Sequence, residues 1–368
     1  MLSLRIWFDI LTPKQVMFFG PAVSLLRESD HELLCTSRHY REAVELATVK
    51  NLKLKIVGRH GGAERYQKLR ESASRIFELA SLINKFEPDF AITFSSPEAS
   101  RVAYGLGIRH IGFNDSPHAE AVSKLTIPLT YHLFSPWVIP ISAWLPFGIS
   151  KTKITQYRAL DPVVWLKRDP SPSSSVPPAC LRELNLDPGK KIVLIRLEET
   201  KASYIADKML ENRISMVDAL VNNLHNSINI VILCRYEEQI RELMERYEAR
   251  AFILRNVVDG IPLIASSDVF IGAGGTMTSE ASLIGTPTIS ISPIRFYVEK
   301  YLVSSGLVKR ASNSIELVRL TNRILKDEKY KKKQKRLAAR IFDKMEDPLD
   351  KMLSYLNIST QHSKDGNL

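Results

Sequence analysis

From Asp268 to Ile291 the chain writes one complete structural sentence. A short apolar strand, Asp268-Val269-Phe270-Ile271, runs into Gly272-Ala273-Gly274-Gly275, a helix pattern opens at about Thr276, Gly285 stops it, and Pro287 leads into Thr288-Ile289-Ser290-Ile291. A strand that returns through a helix to another strand of the same direction is a βαβ unit, and such units stack only into parallel sheets covered by helices. The glycine turn adds chemistry. The first N–H groups of a helix have no partner within it, and its dipole favours negative charge there, so strand, glycine turn and helix N-terminus make an anion site. Gly272, Gly274 and Gly275 let backbone approach a ligand, and Glu280, one turn into the helix, is in reach of hydroxyls on a ligand whose phosphates lie on the turn. The spacing departs from G-x-G-x-x-G, with Met277 at its third position, so a nucleotide fits better than a dinucleotide cofactor.

The same alternation recurs along the chain. Apolar strands are expected at 5–10, 32–36, 53–58, 88–94 and 110–115, with helices at 16–31, 40–49, 64–86 and from Pro97 to about Gly105 between them. Ser96 before Pro97 and Glu98 is a helix start: a capping hydroxyl, a proline at the first helical position and a first-turn acid. A second series has strands at 191–196, 229–234, 251–254, 268–271 and 289–291. Its helices are expected at 215–224, 237–247, 261–265, 276–284 and 298–302. The expected fold class is α/β, two doubly wound Rossmann-like domains. The expected division is 1–160, a Pro/Ser-rich linker at 161–188, 189–345, and a C-terminal helix and tail at 346–368. In such sheets ligands sit beyond the carboxyl ends of the strands. That places Asp9, Thr12 to Lys14, Gly61, Gly62, Ser95 to Glu98 and Asn114 to Glu120 at the ligand edge of the first domain.

The chain has 368 residues and a formal net charge of +11, which favours anionic partners without choosing among nucleotide phosphates, lipid and nucleic acid. Lys329, Lys331, Lys332, Lys333, Lys335, Arg336 and Arg340 read first as a solvated helix face. Tyr330 is nearly the lone aromatic among them, so nucleic acid is not expected as a partner. Three cysteines, Cys35, Cys180 and Cys234, offer neither a disulfide framework nor a zinc spacing, and the expected compartment is cytoplasmic. The N-terminal apolar run is too short for a signal peptide. From Leu125 to Ile149 no residue carries a fixed charge, yet Pro128, Pro136, Pro140 and Pro146 interrupt any spanning helix, and a buried loop-and-helix segment is expected. A peripheral contact with the inner face of the membrane is the alternative use of that segment.

Several motifs in fixed order carry a resemblance. They are Phe8-Asp9-Ile10 with Thr12-Pro13-Lys14, Ser95-Ser96-Pro97-Glu98-Ala99, Gly105-Leu106-Gly107-Ile108, Gly112-Phe113-Asn114-Asp115-Ser116, and Gly274-Gly275-Thr276-Met277-Thr278-Ser279-Glu280-Ala281. Together they resemble the DUF354 family, related to the GT-B glycosyltransferases and UDP-N-acetylglucosamine 2-epimerase. The resemblance implies GT-B architecture with a nucleotide-sugar in an interdomain cleft. The diphosphate would lie on the second domain's glycine turn (Gly274, Gly275, Thr276, Met277), the ribose hydroxyls on Glu280, and the acceptor against the first domain. The chain departs from the family pattern in one place. The turn after the first strand usually carries histidines, and here Gln15 and Met17 stand there.

A transferase of this type needs a base for the acceptor hydroxyl and positive charge or N–H groups for the leaving diphosphate. Asn114-Asp115-Ser116-Pro117-His118-Ala119-Glu120 concentrates such groups at a strand end. His118 is the first candidate base and Asp115 its orienting partner or substitute; the plainer alternative is a helix cap and a surface histidine. Glu98 reads as a first-turn helix acid before it reads as a catalyst. Arg196, leaving its strand, is the candidate for the diphosphate, with Lys201 behind it, and Lys14 and Asn114 complete the substrate-binding set. No Asp-x-Asp sits at a strand end, so no metal and no separate cofactor are expected; the nucleotide-sugar is substrate. The expected activity is sugar transfer from a UDP-sugar to a glycan or lipid-linked acceptor. A 2-epimerase and a non-catalytic nucleotide-sugar or polyanion binder are the alternatives.

Overall fold

The computed structural model describes residues 3–62, 64–168, 179–197, 207–234, 237–247, 250–255 and 259–356. It divides into two compact units, one ending at Arg168 and resumed at Glu346, the other between them.

The first unit begins β1 (Arg5–Asp9), α1 (Pro13–Glu28), β2 (Glu32–His39), α2 (Arg41–Val49), β3 (Lys55–Arg59) and α3 (Arg65–Phe86). It continues β4 (Phe90–Thr93), α4 (Pro97–Gly105), β5 (Arg109–Phe113), α5 (Glu120–Thr126), β6 (His132–Pro136), β7 (Ile154–Tyr157) and α6 (Val163–Leu166). The seven strands form one parallel sheet in the order β3-β2-β1-β4-β5-β6-β7. The direction of winding reverses between β1 and β4, where a parallel sheet opens its ligand crevice.

Local chemistry starts the helices where the sequence predicts. Thr12 caps α1 by accepting from the Gln15 N–H at 3.4 Å, and Ser96 caps α4 by accepting from the Ala99 N–H at 3.3 Å. Behind the carboxyl edge lies an aromatic cluster. Phe18 meets the edges of Phe19, Phe94 and Phe113 at centroid distances of 5.2, 5.4 and 5.0 Å. Such pairs add about 0.5–1.5 kcal/mol each beyond the area they bury, and they hold the second turn of α1 against the ends of β4 and β5.

The apolar stretch from Leu125 to Ile149 is buried only in part, with Leu125, Tyr131 and Leu145 exposed, and its core is a strand with short 3-10 turns rather than loop and helix. Every residue of β6 is buried, and Ile127, Leu133, Ile139, Trp144 and Ile149 form their own core. The prolines punctuate turns around a single extended run, which a helix-breaking argument alone does not reveal. Among the described residues no helix is long and apolar enough to cross a membrane.

The second unit contains α7 (Ala179–Arg182), β8 (Lys191–Arg196), α8 (Asp207–Leu224), β9 (Ile228–Leu233), α9 (Glu237–Tyr247), β10 (Phe252–Leu254) and α10 (Gly260–Ser266). It goes on through β11 (Val269–Gly272), α11 (Thr276–Leu283), β12 (Thr288–Ser290), α12 (Tyr297–Ser304), β13 (Val308–Arg310), α13 (Ser314–Lys326) and α14 (Glu328–Phe342). Its six strands are all parallel, ordered β10-β9-β8-β11-β12-β13, with the reversal between β8 and β11. The strands β7 and β13 were not anticipated; both are short edge strands with too few residues to show a period.

The second unit ends at Met345, the position expected, but the first runs to Arg168 rather than 160. Asp161 to Leu166, assigned to the linker, are buried within the first unit. The chain also returns there through α15 (Pro348–Tyr355): Arg168 pairs with Asp347 at 2.5 Å, and Tyr355 stacks on His132 at 4.2 Å. The tail is therefore part of the first unit's packing, a long-range contact with no local signature.

Gly285, the predicted helix stop, has φ +82°. A Cβ there would lie 2.6 Å from the Lys335 Cα on α14. Gly285→Ala is expected to destabilise the second unit by about 1–3 kcal/mol, because it adds left-handed strain to a clash with backbone. Urea unfolding checks it, and an unchanged midpoint would refute the close approach of α11 and α14.

Candidate active site

In the second unit the glycine turn closes as the sequence suggests. Gly274 and Gly275 have φ of +96° and +80°, and Gly275, at the N-cap of α11, brings no capping side chain. With ψ −166°, Gly275 occupies a region essentially closed to residues with a Cβ. Gly272 is tight for another reason: a Cβ there would lie 2.4 Å from Thr278 Oγ1. Thr278 in turn donates to the Gly274 carbonyl at 3.1 Å, fixing the turn. Thr276 is half-buried at the mouth of the turn, while the half-buried Met277 packs against the apolar cluster that holds Leu263 and Phe270. Glu280 is 6% exposed, deeper than a residue that only solvates a helix.

Arg196 ends β8 and pairs in register with Gly272, so it stands beside the turn, and its Nη1 donates to the Cys234 carbonyl at 2.9 Å. Lys201 lies outside the described residues. Two residues not anticipated flank the turn. Ser292 lies against Gly274 and offers its carbonyl to Arg310 at 2.7 Å, and the buried Glu299 accepts from Ser290 at 2.6 Å. Burial raises the Glu299 carboxyl above its ordinary range against Ser290 and Arg310, which favour its charge.

The carboxyl edge of the first unit carries two charged clusters. At the reversal point, Asp9 is wholly buried and receives four hydrogen bonds. Arg75 gives two, at 2.6 and 3.1 Å, and Ser96 and Thr36 give one each at 2.6 Å. Burial pushes the Asp9 carboxyl up, but Arg75 and the two hydroxyls outweigh it, and the balance lies below the ordinary range. Arg75 also reaches the Val57 carbonyl at 2.9 Å and stands 3.7 Å from Glu98. Glu98 is thus a buried acid facing a buried arginine as well as a first-turn helix acid.

The second cluster is centred on Lys14. Its ammonium touches Asp115 and Asp161, each at 2.6 Å, and lies 4.1 Å over the Phe94 ring. Ser116 donates to Asp115 at 2.8 Å, and the Tyr157 hydroxyl donates to Asp161. Asn114 is buried and accepts from the Ser116 N–H at 2.7 Å, which shapes the loop that presents Asp115. His118 sits half-buried on the same loop. Burial holds it below the ordinary histidine range against the pull of Asp115, so it is neutral at pH 7 and able to accept a proton.

Lys14, Asn114, Asp115 and His118 therefore share one edge with a residue the sequence reading missed, Asp161, and its partner Tyr157. Their only local signal is the i, i+4 spacing of a tyrosine and an aspartate before an apolar run. Arg75 was missed too, although its place with Leu79 and Ile83 at i, i+4, i+8 puts a charge on a buried helix face. Gln15, where histidine was the family expectation, is buried and committed to structure: it accepts from the Leu11 N–H at 2.6 Å and donates to the Phe94 carbonyl at 2.9 Å. Any base at this edge must come from elsewhere. Among the described residues no group of three or more His, Cys, Asp or Glu is placed to hold a metal.

Comparison with known proteins gives these parts a setting. The model of the family described as "Protein of unknown function (DUF354)" matches residues 4–356. The chain belongs to the DUF354 family. A relative within reach of sequence comparison is "Uncharacterized protein MJ0665" of Methanocaldococcus jannaschii, 27% identical over 325 residues, covering 86% of this chain and 91% of that protein. Among solved structures, this DUF354 protein is similar to the UDP-GlcNAc 2-epimerase from Neisseria meningitidis bound to UDP-GlcNAc. The TM-score is 0.74 at 14% identity, over 96% of this chain and 100% of that one. The M. jannaschii UDP-GlcNAc 2-epimerase in complex with UDP-GlcNAc and UDP matches at TM-score 0.71 and 14% identity, with the same coverage. The spinosyn rhamnosyltransferase SpnG, complexed with spinosyn aglycone, matches at TM-score 0.63 and 14% identity, again over 96% and 100%. At such identities the likeness is one of fold: two parallel-sheet Rossmann-like units, as in the GT-B enzymes.

Proposed function

We propose that this DUF354 protein binds a UDP-linked sugar and transfers the sugar to a glycan or lipid-linked acceptor. The observation that carries the proposal is the turn at Gly274 and Gly275, in left-handed backbone at the uncapped N-terminus of α11. That is an anion cradle at a carboxyl sheet edge, where a diphosphate meets N–H groups and the helix dipole. Structures of the same fold have been solved with UDP or UDP-GlcNAc bound, which supports a nucleotide-sugar over a dinucleotide. In this proposal Arg196 and Lys201 meet the diphosphate charge, and Glu280 takes the ribose hydroxyls. On the first unit, His118 takes the acceptor proton, with Asp115 stabilising the imidazolium that forms.

One observation favours a second reading, a 2-epimerase. Asp115 and Asp161 share a single lysine at one edge, and an epimerisation needs an acid and a base at one carbon. Appearance of an epimerised UDP-sugar in the absence of any acceptor would select it.

The first test is thermal stabilisation by UDP, GDP, UDP-N-acetylglucosamine, UDP-glucose, GDP-mannose and NAD. At about 100 times the dissociation constant, a ligand stabilises by roughly 2.7 kcal/mol. UDP and a UDP-sugar are expected to shift the unfolding of the second unit, and the isosteric Glu280→Gln variant to lose most of that shift. No shift with any uridine ligand would sink the proposal.

A further inference from the structure

We propose that Asp115 and Asp161 form a carboxyl pair sharing one exchangeable proton, with Asp161 the buried holder of that proton and Asp115 the ionised member presented at the sheet edge.

The geometry carries this. Both carboxyls lie 2.6 Å from the same Lys14 nitrogen, so two acids have one cation between them. The two are not equivalent. Asp161 has 3% of its side chain exposed and Asp115 24%. Charged and titratable groups face the pair from several elements. Lys14 comes from α1, Asp115 and His118 from the loop after β5, and Tyr157 from β7. Toward α15, Asp347 is paired with Arg168, and Glu346 accepts from the Arg158 N–H and pairs with Lys351. Lys14 is thus the cation that the two acids share. Were both ionised, a buried net negative charge would remain, and two carboxylates held this close ionise in separate steps.

The direction of each group agrees. Burial raises Asp161 to about 6, with Asp115 adding to the rise and Lys14 and Tyr157 opposing it. Burial also opposes charge on Asp115, but Lys14, Ser116 and a hydrogen bond from Asp161 outweigh it, and Asp115 stays below the ordinary range. Lys14, disfavoured by burial, is held charged by the two acids. The proton therefore resides on Asp161, donated toward Asp115, and leaves near pH 6. The pair then passes from neutral, counted with Lys14, to singly negative beside His118. Asp161 acts through Asp115, as a positioning residue that keeps the edge carboxylate ionised and sets the field on the histidine. The sharing of the proton does not rest on the nucleotide-sugar proposal; its use in turnover does.

The test is carbon NMR of protein labelled at the aspartate carboxyl carbons, titrated from pH 3 to pH 8, with the two resonances assigned from Asp115→Asn and Asp161→Asn. Asp161 is expected to titrate near pH 6 and Asp115 below the ordinary aspartate midpoint of about 3.9. Asp115→Asn removes the competing charge and is expected to lower the Asp161 midpoint. Tyr157→Phe removes a donor and is expected to raise it. Asp161→Asn keeps a neutral donor and leaves Asp115 low, whereas Asp161→Leu lets Asp115 rise. An Asp161 midpoint at an ordinary value in the wild-type protein, or one that Tyr157→Phe does not move, overturns the pair. The wild-type titration alone decides the matter if Asp115→Asn does not fold. A positive titration without uridine-ligand binding would retain the pair and discard the transferase.

Discussion

Replacing Arg75 with methionine is expected to destabilise the first unit by about 3–5 kcal/mol. The reason lies in what the arginine leaves behind. Asp9 is 0% exposed at the end of β1, and Arg75 supplies two of its four hydrogen bonds and its nearest positive charge. Without Arg75 the carboxylate is a buried charge that keeps the Ser96 and Thr36 hydroxyls and the nearby charge of Arg38 but loses its bidentate partner, and the Val57 carbonyl loses its donor as well. Asp9→Asn on the same background is expected to recover part of the loss, because the uncompensated charge goes with it; the two changes are therefore not additive. Urea denaturation followed on the first unit measures both. A loss below about 1 kcal/mol for Arg75→Met would mean that water reaches Asp9 in solution.

The pH dependence follows with a definite sign. The folded-state pKa of Asp9 is depressed, so the pair contributes stability that is fully present above the unfolded value of about 3.9 and is lost as pH falls through the folded value. Asp161 works the other way. Its folded value is raised to about 6, so its contribution is present below about pH 4 and is lost as pH rises from there to about 6. The wild-type protein is expected to lose stability at both ends of that range. Arg75→Met should flatten the acid side and leave the limb near pH 6 in place.

Replacing His118 with alanine is expected to lower turnover of a UDP-sugar by about 10²- to 10⁴-fold, the range for loss of a positioned general base. Stabilisation by UDP should be unchanged, because the groups assigned to the nucleotide belong to the second unit. The pH profile gives the sharper reading. Burial keeps His118 below the ordinary histidine range, so activity should rise with pH on an acid limb below about 6.5 and flatten above it. The alanine variant should lose that limb. Wild-type turnover with no acid limb attributable to His118, or an alanine variant within a few-fold of wild type, would move the base to Asp115 or remove the transferase mechanism altogether.

How much of this was legible beforehand depends on the range of the interaction. Local rules were reliable where one short stretch contains its own cause. Thr12 and Ser96 cap their helices, Gly285 stops α11, and the Gly274-Gly275 turn takes the left-handed backbone that only residues without a Cβ adopt freely. Apolar periodicity placed most of the strands, and strand-helix alternation implied two parallel sheets. Short edges escaped. β7 and β13 are four and three residues long and have no period to detect. The segment around β6 was read as loop and helix because four prolines dominate its local signal, whereas the strand is stabilised by neighbours on both sides.

Sequence by itself determined the class of fold, the family and the left-handed glycine turn at the start of α11, because each is written in residues adjacent in the chain, whose backbone preferences and spacing act locally. Only the tertiary structure decided which charges meet. Arg75 finds Asp9 across 66 positions and Lys14 finds Asp115 across 101, and no pattern of spacing reports such pairs. It also turned Gln15 into a brace and drew Asp161 out of a presumed linker into a buried carboxyl pair. The physical reason is burial: the same side chain is a solvated surface group or a poised acid according to what the sheet edge removes from water, and that is decided by packing.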